Sequence, residues 1–470
     1  MDIAAPSPAS SAAASAADGD GYPARVPLAT RPLGILGSLK VARRNLIELI
    51  PEIATRQPMV SGRTGKRWHM VMDPGALRRI LKDRIEDYPK SDVTKLILGP
   101  AIGESLFVAE GAHWRWQRRA AAPAFSHRNV TALGPVMTRA AEHAAERLAA
   151  QSGRAANVFD EMVSATFEVI ADVTLSGSGA ETGGAFDRDA VHKGIEAYMG
   201  QTAKTSLLDI LGAPPWVPRP SRMFASTATR SMRAMADATI EARVRSGPRP
   251  LPDLLDLLRE GQDSETGRRM STPELRDNLL TFIVAGHETT ALTLAWALYL
   301  CAFDPGVQDA ARSEAQAVLG SRAATAADLP ALPLIRRIVD EALRLYPPAA
   351  FLSRTARAHD RLCGREVRPG DTVILPIYAL HRHHLLWDDP HAFRPDRFDA
   401  PAHDRFAFLP FGDGPRVCIG ASFAVQEAVI ILATLLARLR FATVPHRAPK
   451  PVLILTLRPE GGVWLSVEPA

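Results

Sequence analysis

The chain has 470 residues, 46% of them hydrophobic and 23% charged, with a net charge of +5 at pH 7. This composition is typical of a soluble globular protein with a sizeable core, and the length permits one large domain or two to three ordinary ones. Because the positive charge comes from scattered arginines rather than a basic block, and because no DNA or RNA motif is present, we expect no nucleic-acid binding.

The N-terminal segment is rich in alanine and serine. Residues 1–22 contain no Lys or Arg and no apolar run of signal-peptide quality, so we predict a disordered tail there. Residues 23–470 contain no low-complexity linker and no repeat of solenoid period. We therefore predict one large catalytic domain after the tail.

Most periodic segments of the chain have helical spacing. Apolar residues at intervals of three and four predict helices over Leu77–Leu81, Val136–Leu148, Leu254–Leu258, Leu275–Leu300, Leu334–Leu345 and Ala421–Leu439. Short strand-like stretches predict strands over Trp68–Met72, Asp371–Leu375, Val452–Leu457 and Val463–Val467. The sequence therefore predicts a mainly α fold with a smaller β-sheet part.

The first chemical motif along the chain is AHWRWQRR. Trp114 and Arg118 are four residues apart, so on a helix they share a face that can present an indole and a guanidinium to one planar anionic ligand. The alternative is an ordinary amphipathic helix with its basic residues in solvent, and this motif alone favours that alternative.

The longest apolar segment, Leu279–Ala302, is long enough to cross a bilayer. It carries His287 and Glu288 at its middle, and a charge at membrane depth is costly, so we predict a buried helix of a soluble protein. Ser271–Glu274 is a capping box with a proline in the first turn, which predicts the start of this helix. Without a membrane anchor, the expected location is cytoplasmic.

Within that helix, AGHETT places polar residues where the rest is apolar. Phe282, Ala285, Gly286 and Thr289 share one face. The Thr289 hydroxyl can bond the Ala285 carbonyl, and Gly286 leaves a gap, so the helix can open into a polar groove for dioxygen and water, with Glu288 delivering protons. The alternative is a buried acid neutralised by a salt bridge and a threonine that caps its own backbone.

The EALR motif pairs two charges on the next predicted helix. Glu341 and Arg344 face the same way, and such isolated pairs are usually solvated and worth under about 1 kcal/mol. Arg397, in FRPDRF further along the chain, can join them. We predict a buried structural cluster that holds two segments in register.

Cys418 lies in the stretch FGDGPRVCIG. Cys301, Cys363 and Cys418 are far apart and form no CxxC pair, which argues against disulfides and a structural zinc site. The default role of a lone cysteine is that of a small buried hydrophobe. Its neighbours instead meet the needs of a haem thiolate ligand. Phe411 can shield the sulfur, and Gly412 and Gly414 allow positive φ and close approach of the backbone. Arg416 can pair with a propionate, and Gly420 leaves room for a flat ligand beside the following helix.

Taken together, the motifs are similar to those of the cytochrome P-450 family. FGDGPRVCIG matches the family's FxxGxRxCxG cysteine loop, AGHETT its (A/G)Gx(D/E)T(T/S) oxygen-activating helix, EALR its ExxR, Pro395–Phe398 its PERF-like segment, and Trp114 with Arg118 its WxxxR. They occur in the family's order between Trp114 and Gly420. Asp396 replaces the usual Glu of the PERF segment, and His287 fills a variable position.

The resemblance implies a role for each of these residues. Cys418 would be the axial ligand of haem b, and Glu288 and Thr289 the acid and alcohol pair that supplies protons during oxygen activation. The propionates would be held by Trp114, Arg118, Arg354 and Arg416. The cofactor site would be completed by Ala285, Gly286, Phe411, Gly412 and Gly420.

The implied activity is that of a haem-thiolate monooxygenase with dioxygen as cosubstrate. A haem-thiolate peroxygenase or isomerase is an alternative, but such enzymes usually lack an acid and threonine pair like Glu288 and Thr289. A non-catalytic haem sensor, the other alternative, has no use for a proton relay.

Electrons are expected from a separate protein. No flavin or nicotinamide motif is visible, and only about fifty residues follow Cys418, too few for a reductase domain. By resemblance the partner is a ferredoxin or flavodoxin with its NAD(P)H reductase. Arg115 and Arg119 are candidate docking charges, with a merely solvated face as the alternative, and the chain is expected to be a monomer.

The substrate pocket is expected, by resemblance, to draw on the Thr94–Phe107 loop and on apolar residues near the iron. The residues are Phe107, Phe282, Ala285, Ala349, Ala350, Phe351 and Val463. This lining favours a lipophilic substrate such as a terpenoid, steroid or fatty acid. A proline-rich loop within Met199–Met223 suggests a shaped lid over the site.

Overall fold

The structure of the chain is a computed structural model that describes residues 21–31, 33–92, 94–95, 99, 102–175, 220–399 and 404–470, with backbone only at 35–36, 39 and 220–229. Helices form most of it. They are α1 (Ile35–Ala42), α2 (Pro74–Arg78), α3 (Gly111–Ala121), α4 (His127–Ala132), α5 (Gly134–Ala149), α6 (Val158–Leu175), α7 (Pro220–Ser246), α8 (Leu254–Glu260), α9 (Thr272–Phe303), α10 (Pro305–Leu319), α11 (Pro333–Leu345), α12 (Ile377–Leu380) and α13 (Ala421–Arg438).

The long helix α9 is the centre of the fold. It begins with the predicted capping box, in which the Ser271 N–H donates to Glu274 Oε2 at 2.9 Å. With 32 residues it is roughly 48 Å long. It packs against α6, α7, α11 and α13, and Trp296, fully buried, stacks on Tyr346 with ring centroids 4.0 Å apart. Both faces of its C-terminal half are therefore inside the core.

Short strands form small sheets at the edges of the helical core. The strands are β1 (Met59–Thr64), β2 (Lys66–Val71), β3 (Ala155–Asn157), β4 (Leu352–Thr355), β5 (Asp360–Leu362), β6 (Arg365–Val367), β7 (Thr372–Leu375), β8 (Leu439–Thr443), β9 (Lys450–Leu453), β10 (Leu457–Glu460) and β11 (Trp464–Pro469). One sheet has the order β1-β2-β7-β4, with only β2 and β7 parallel, and another has the order β3-β11-β8. β5 pairs with β6 and β9 with β10 as hairpins.

The predicted fold class is confirmed, and the predicted helices are present. One predicted strand is wrong: residues 452–457 contain the turn of the β9–β10 hairpin, so the chain reverses within the stretch. The run of apolar residues is continuous up to Leu455 and holds no Gly, Asn or Asp, so the pattern carries no mark of the reversal. Several helices were not predicted, namely α1, α4, α6, α7, α10 and α12. Helix α6 is buried around most of its surface, which removes the one-sided pattern that periodicity detects.

Helix α13 is long and apolar enough to cross a membrane, with a mean hydropathy of 1.5 over 18 residues, but 78% of it is buried within the fold. Helices α9 and α10 pass the same test only together, and they meet at 114°. The segment Leu279–Ala302 lies in α9 and is largely buried, in keeping with the predicted core helix.

Candidate functional site

The segment Phe411–Gly420 forms the loop that leads into α13. Gly412 and Gly414 have φ angles of 67° and 71°, in the left-handed region that favours glycine. At Gly414 a Cβ would lie 2.1 Å from the carbonyl oxygen of Leu81, so the loop needs glycine there for close approach as well. The Cys418 N–H donates to the Phe411 carbonyl at 2.9 Å, which closes the loop around the cysteine.

The thiol of Cys418 is accessible yet set back from open solvent. The side chain is exposed, but desolvation raises the pKa of its thiol, while the Gly420 N–H and the charges of Arg118 and Lys90 act in the opposite direction. The accessible space beside the sulfur is therefore an enclosed recess. A cation bound there would favour the thiolate.

Cationic side chains surround this recess. Burial lowers the pKa of Arg354 to about 10 and that of Lys90 to about 7, and in both cases Arg416 adds repulsion. Burial also lowers the pKa of Arg118, and the smaller, opposite effect comes from the charge of Cys418. In the part of the chain that the structure describes, no carboxylate forms an ion pair with Arg118, Arg354 or Lys90. Such desolvated cations are complementary to a ligand that carries carboxylates.

Arg416 differs from the other cations because it already has an acidic partner. Its guanidinium is ion-paired with Glu110, donates to the Ala109 carbonyl at 3.1 Å and lies over the Trp114 ring at 4.4 Å. A ligand carboxylate would compete with Glu110 for this arginine. Arg118 and Arg354 have no such competitor among the described residues.

Lys90 and Glu110 belong to this site, and neither was predicted from the sequence. Lys90 lies 3.8 Å from the centre of the Phe107 ring and pairs through its backbone with Arg354, which is far away in the chain. Glu110 bonds the Lys90 N–H at 3.0 Å. Neither residue lies in a recognisable motif, so only the fold brings them to the cysteine.

The AGHETT segment lies in an unbroken part of α9. Thr289 Oγ1 donates to the Ala285 carbonyl at 2.7 Å, as predicted from the spacing. The expected local opening of the helix is not observed, because α9 is continuous from Thr272 to Phe303. The expected gap at Gly286 is also wrong: a Cβ there would lie 3.2 Å from Ile170, so α6 fills this space. Ala285 is nonetheless exposed in the middle of the helix and faces accessible space.

Glu288 is buried, with 3% exposure, and is bound to the C-terminal hairpin. Thr456 Oγ1 donates to Glu288 Oε1 at 2.8 Å, and Arg458 forms an ion pair with the same oxygen. Oε2 is buried without a hydrogen-bond partner. Together with the Thr289 bond to Ala285, these are the contacts of the alternative interpretation, a neutralised acid and a self-capping threonine. Thr456 and Arg458 are further site residues that sequence reasoning missed.

The tip of the β9–β10 hairpin lies beside the middle of α9, where Thr456 bonds Glu288. Ile454, Leu455 and Thr456 at this tip are half-buried. The hairpin is anchored beside the segment after α11 and beside α9, because the Leu457 N–H donates to Pro348 at 3.1 Å and Trp296 Nε1 donates to Leu457 at 3.2 Å.

The predicted pocket residues divide by exposure. Ala350 and Val463 are 1% and 0% exposed, so their assignment to the lining is corrected; Val463 is held by Asn157, whose side chain accepts its N–H at 3.0 Å. Phe282 is buried edge-to-face against Phe125, with centroids 5.1 Å apart. The residues that remain accessible are Phe107, Ala285, Ala349 and Phe351.

The loop before α3 is fixed to α9. The Leu106 N–H donates to Asn278 Oδ1 at 2.9 Å, and the Glu104 N–H donates to Asp277 Oδ2 at 3.2 Å. Of the predicted Thr94–Phe107 wall, residues 94–95, 99 and 102–107 are described. Residues 199–219 of the predicted lid lie outside the described residues, and the rest of it belongs to the start of α7.

The Glu341 and Arg344 side chains are fully buried and ion-paired at 2.6 Å, and Arg397 Nε lies 3.2 Å from Glu341 Oε1. Arg344 Nη1 also donates to the carbonyls of His381 and Pro390, each at 2.8 Å. The cluster thus joins α11 to the two segments that precede the cysteine loop.

The candidate docking charges on α3 are both engaged within the chain. Arg115 is paired with Glu86 at 2.6 Å, and Arg119 is paired with Asp263 and with Glu265, the latter at 3.1 Å. A partner protein would have to compete with these acids.

Comparison with known families gives one assignment over most of the chain. Residues 27–466 match the family model described as Cytochrome P-450. The chain is 31% identical over 433 residues to "Cyclooctatin synthase" of Streptomyces melanosporofaciens, covering 91% of this chain and 93% of that protein. It is also 31% identical to "Cyclooctat-9-en-7-ol 5-monooxygenase" of the same organism, covering 87% and 88%. "Cytokinin hydroxylase" of Arabidopsis thaliana is 33% identical, covering 78% and 72%.

Solved structures agree with this assignment. The crystal structure of cytochrome P-450DA heme domain has a TM-score of 0.77 and 27% identity, covering 88% of this chain and 90% of that chain. A mutant of the same heme domain has a TM-score of 0.78 and covers 93% of both chains.

Proposed function

The chain belongs to the cytochrome P-450 family, and from that premise we propose that it is a monooxygenase that hydroxylates a C–H bond of a lipophilic small molecule, with haem b held by Cys418. The net reaction would convert RH, dioxygen, two electrons and two protons into ROH and water. The observation that carries this proposal is the accessible Cys418 thiol among Arg118, Arg354 and Lys90, desolvated cations without carboxylate partners among the described residues.

The residues of the recess fit haem b. Cys418 would supply the thiolate ligand, and Arg118, Arg354 and Lys90 would bind the propionates, with Trp114 and Arg416 beside them. Bound there, the haem iron would supply the redox chemistry that activates dioxygen, promoted by the electron donation of a thiolate. The Cys418 N–H is already bonded to Phe411, so this loop would hold the sulfur in place before the cofactor binds.

Glu288 and Thr289 would move the protons. Arg458, with its side chain 44% exposed, connects buried Glu288 to the surface. Glu288 would take up protons at this end and pass them towards the Thr289 hydroxyl, which lies on the accessible side of α9 next to Ala285. The unpartnered Oε2 of Glu288 is the atom available for this transfer. The salt bridge to Arg458 is compatible with this role, since it leaves that oxygen free of protein partners.

The substrate would be a terpenoid, a steroid or a fatty acid. The accessible lining is apolar, with Phe107, Ala285, Ala349 and Phe351 joined by Ile454 and Leu455 at the hairpin tip. Two relatives of similar length carry names that refer to cyclooctatin chemistry, one of them a monooxygenase of cyclooctat-9-en-7-ol. An unsaturated cyclic alcohol is therefore included among the first compounds to test.

Electrons would come from a ferredoxin or flavodoxin with its NAD(P)H reductase. The low cysteine content favours a cytoplasmic location, and we expect a monomer.

The experiment that tests the proposal is the absorption spectrum of the purified protein, reduced and exposed to carbon monoxide. A far red-shifted Soret band is expected, because a thiolate ligand produces it. The ferric protein is then titrated with terpenoids, steroids and fatty acids, and the class that shifts its Soret band identifies the substrate class. A Soret band at shorter wavelength, or no haem, would overturn the ligand assignment. Product formation with peroxide alone, but not with a reduced redox partner, would instead indicate a peroxygenase.

A further inference from the structure

A buried histidine lies between the ion-pair cluster and the cysteine loop. His381 follows α12 and is 0% exposed. Its Nε2 is 2.9 Å from the backbone nitrogen of Leu409, and its Nδ1 is 3.2 Å from the carbonyl oxygen of Arg344. The mechanism described above does not use this side chain.

The two contacts define the protonation state of His381. A backbone N–H can only donate, so Nε2 must accept from Leu409, and Nδ1 must carry the proton and donate to Arg344. Burial, followed by the charge of Arg344, lowers the pKa of His381 to about 3. The ring is therefore neutral at physiological pH and keeps one donor and one acceptor.

His381 and Arg344 are bonded to each other in both directions. The Arg344 side chain donates to the His381 carbonyl at 2.8 Å, while the His381 side chain donates to the Arg344 carbonyl. The position of the imidazole is thereby tied to the Glu341–Arg344–Arg397 cluster, whose members are all buried.

On its other side, the imidazole holds the entrance to the cysteine loop. The Leu409 carbonyl accepts the Gly412 N–H at 3.1 Å, and the Phe411 carbonyl accepts the Cys418 N–H at 2.9 Å. His381 is thus bonded to Leu409, and Leu409 to Gly412. Phe411, the neighbour of Gly412 in the chain, is bonded to Cys418. Without the bond to His381, the backbone at Leu409 could change its orientation, and Phe411 and Cys418 would move with it.

We propose that His381 is a positioning residue for Cys418: its Nε2 fixes Leu409, so that the buried cluster of α11 sets the orientation of the thiol in the recess. The inference rests on the proposed function only for the identity of the cofactor that the thiol meets. The contacts themselves are independent of it.

Two amide substitutions separate the two ends of the imidazole. His381→Asn keeps a donor near the position of Nδ1 and removes the acceptor for Leu409, whereas His381→Gln can place an acceptor near the position of Nε2. His383→Asn is the matched control. His383 is also buried, lies two residues away and contacts the Gln57 carbonyl at 3.1 Å rather than the cysteine loop.

The readouts are amide hydrogen exchange at Leu409, the carbon monoxide spectrum and thermal stability, all measured on the protein as purified. His381→Asn is expected to speed amide exchange at Leu409 by about tenfold, because roughly one neutral hydrogen bond is lost. The same substitution is expected to shift part of the Soret band from the thiolate to the thiol position. His381→Gln is expected to keep both near the wild-type values. His383→Asn is expected to lose stability without either change.

The proposal is overturned if His381→Asn loses stability but keeps the Leu409 exchange rate and the thiolate band of the wild type. It is also overturned if His383→Asn shifts the band equally. If His381→Asn does not fold, wild-type exchange decides, because a Leu409 amide that exchanges as fast as an unbonded one contradicts the contact. A wild-type protein without a thiolate band would refute the proposed function, while exchange at Leu409 would still decide the role of His381.

Discussion

The Thr456 hydroxyl donates a 2.8 Å hydrogen bond to Glu288 Oε1, which joins the β9–β10 hairpin tip to the middle of α9. Arg458, two residues further, lies on the same side of the hairpin and pairs with the same oxygen. The acid of the AGHETT motif is therefore held by a segment about 170 residues away in the chain, near the C-terminus.

Removing the Arg458 charge should weaken proton delivery. Arg458→Gln leaves the buried Glu288 carboxylate without its ion-pair partner, so we expect a stability loss of about 1–3 kcal/mol and a severalfold lower turnover with less product per electron. The control is Arg440→Gln, which removes an exposed arginine paired with Asp309. Thermal unfolding and product yield per NAD(P)H check this. Equal effects of the two substitutions would contradict the connection to Glu288.

Removing the Thr289 hydroxyl should uncouple electron consumption from product formation. Thr289→Ala is expected to release peroxide and to lower the ratio of product to electrons. Glu288→Gln is expected to slow turnover by about 10²-fold, the lower range for general acid–base catalysis. Thr293→Ala is the control, because Thr293 makes the same kind of bond one turn along α9, to the Thr289 carbonyl at 2.9 Å. An unchanged ratio in Thr289→Ala would remove Thr289 from the mechanism.

Cys418→Ser should abolish the thiolate spectrum and turnover, because a hydroxyl does not supply the electron donation of a thiolate. Cys363→Ser changes an exposed cysteine in the β5–β6 hairpin and should leave both intact. The check is the Soret position of the reduced carbon monoxide complex. Retention of the thiolate band in Cys418→Ser would show that another residue is the ligand.

Glu341→Gln should strongly destabilise the fold. Arg344 and Arg397 would then be buried cations without their acid, and breaking a buried ion pair costs about 3–5 kcal/mol. Arg336→Gln on the same helix breaks a half-exposed pair with Asp340 and should cost less than about 1 kcal/mol. Denaturant unfolding compares the two. A similar cost for both would mean that the cluster contributes little to stability.

Haem retention should depend on pH through Lys90. The pKa of Lys90 is lowered from 10.5 to about 7 by burial and then by Arg354 and Arg416, and a cofactor carboxylate beside it would raise that pKa again. Haem binding would then take up a proton above pH 7, so affinity should fall as the pH rises from about 7 towards the pKa of the loaded form.

The rate of haem transfer to an excess of haem-free globin measures this effect. It should rise with pH in the wild type and lose most of that dependence in Lys90→Met. Lys95→Met is the control, because Lys95 is more loosely associated with the site, 3.7 Å from Glu110. A pH profile in Lys90→Met equal to that of the wild type would exclude Lys90 as a cofactor contact.

Local patterns predicted a large part of the structure. The capping box and the apolar spacing predicted the start and course of α9, and glycines at 412 and 414 predicted the left-handed backbone of the cysteine loop. These features depend on residues within a few positions of each other. Hydrogen bonds, φ preferences and helical faces that involve only such near neighbours can be predicted from residue types and their spacing.

Predictions that depended on distant neighbours were less successful. The space at Gly286 is filled by Ile170, and the strand over 452–457 reverses into a hairpin that brings Thr456 to Glu288. Val463 was placed in the pocket but is fully buried. In each case the spacing was compatible with more than one arrangement, and packing selected one of them.

The sequence by itself determined the mainly α fold, the family and the position of Cys418, because each is encoded in short motifs with local physical requirements. Only the tertiary structure decided that Lys90 lies beside that thiol and bridges to Arg354, that Arg458 pairs with Glu288, and that His381 joins Arg344 to the cysteine loop. Those contacts join residues that are far apart in the chain. Their formation depends on how the whole core closes and on which charges are desolvated together, and no local pattern carries that information.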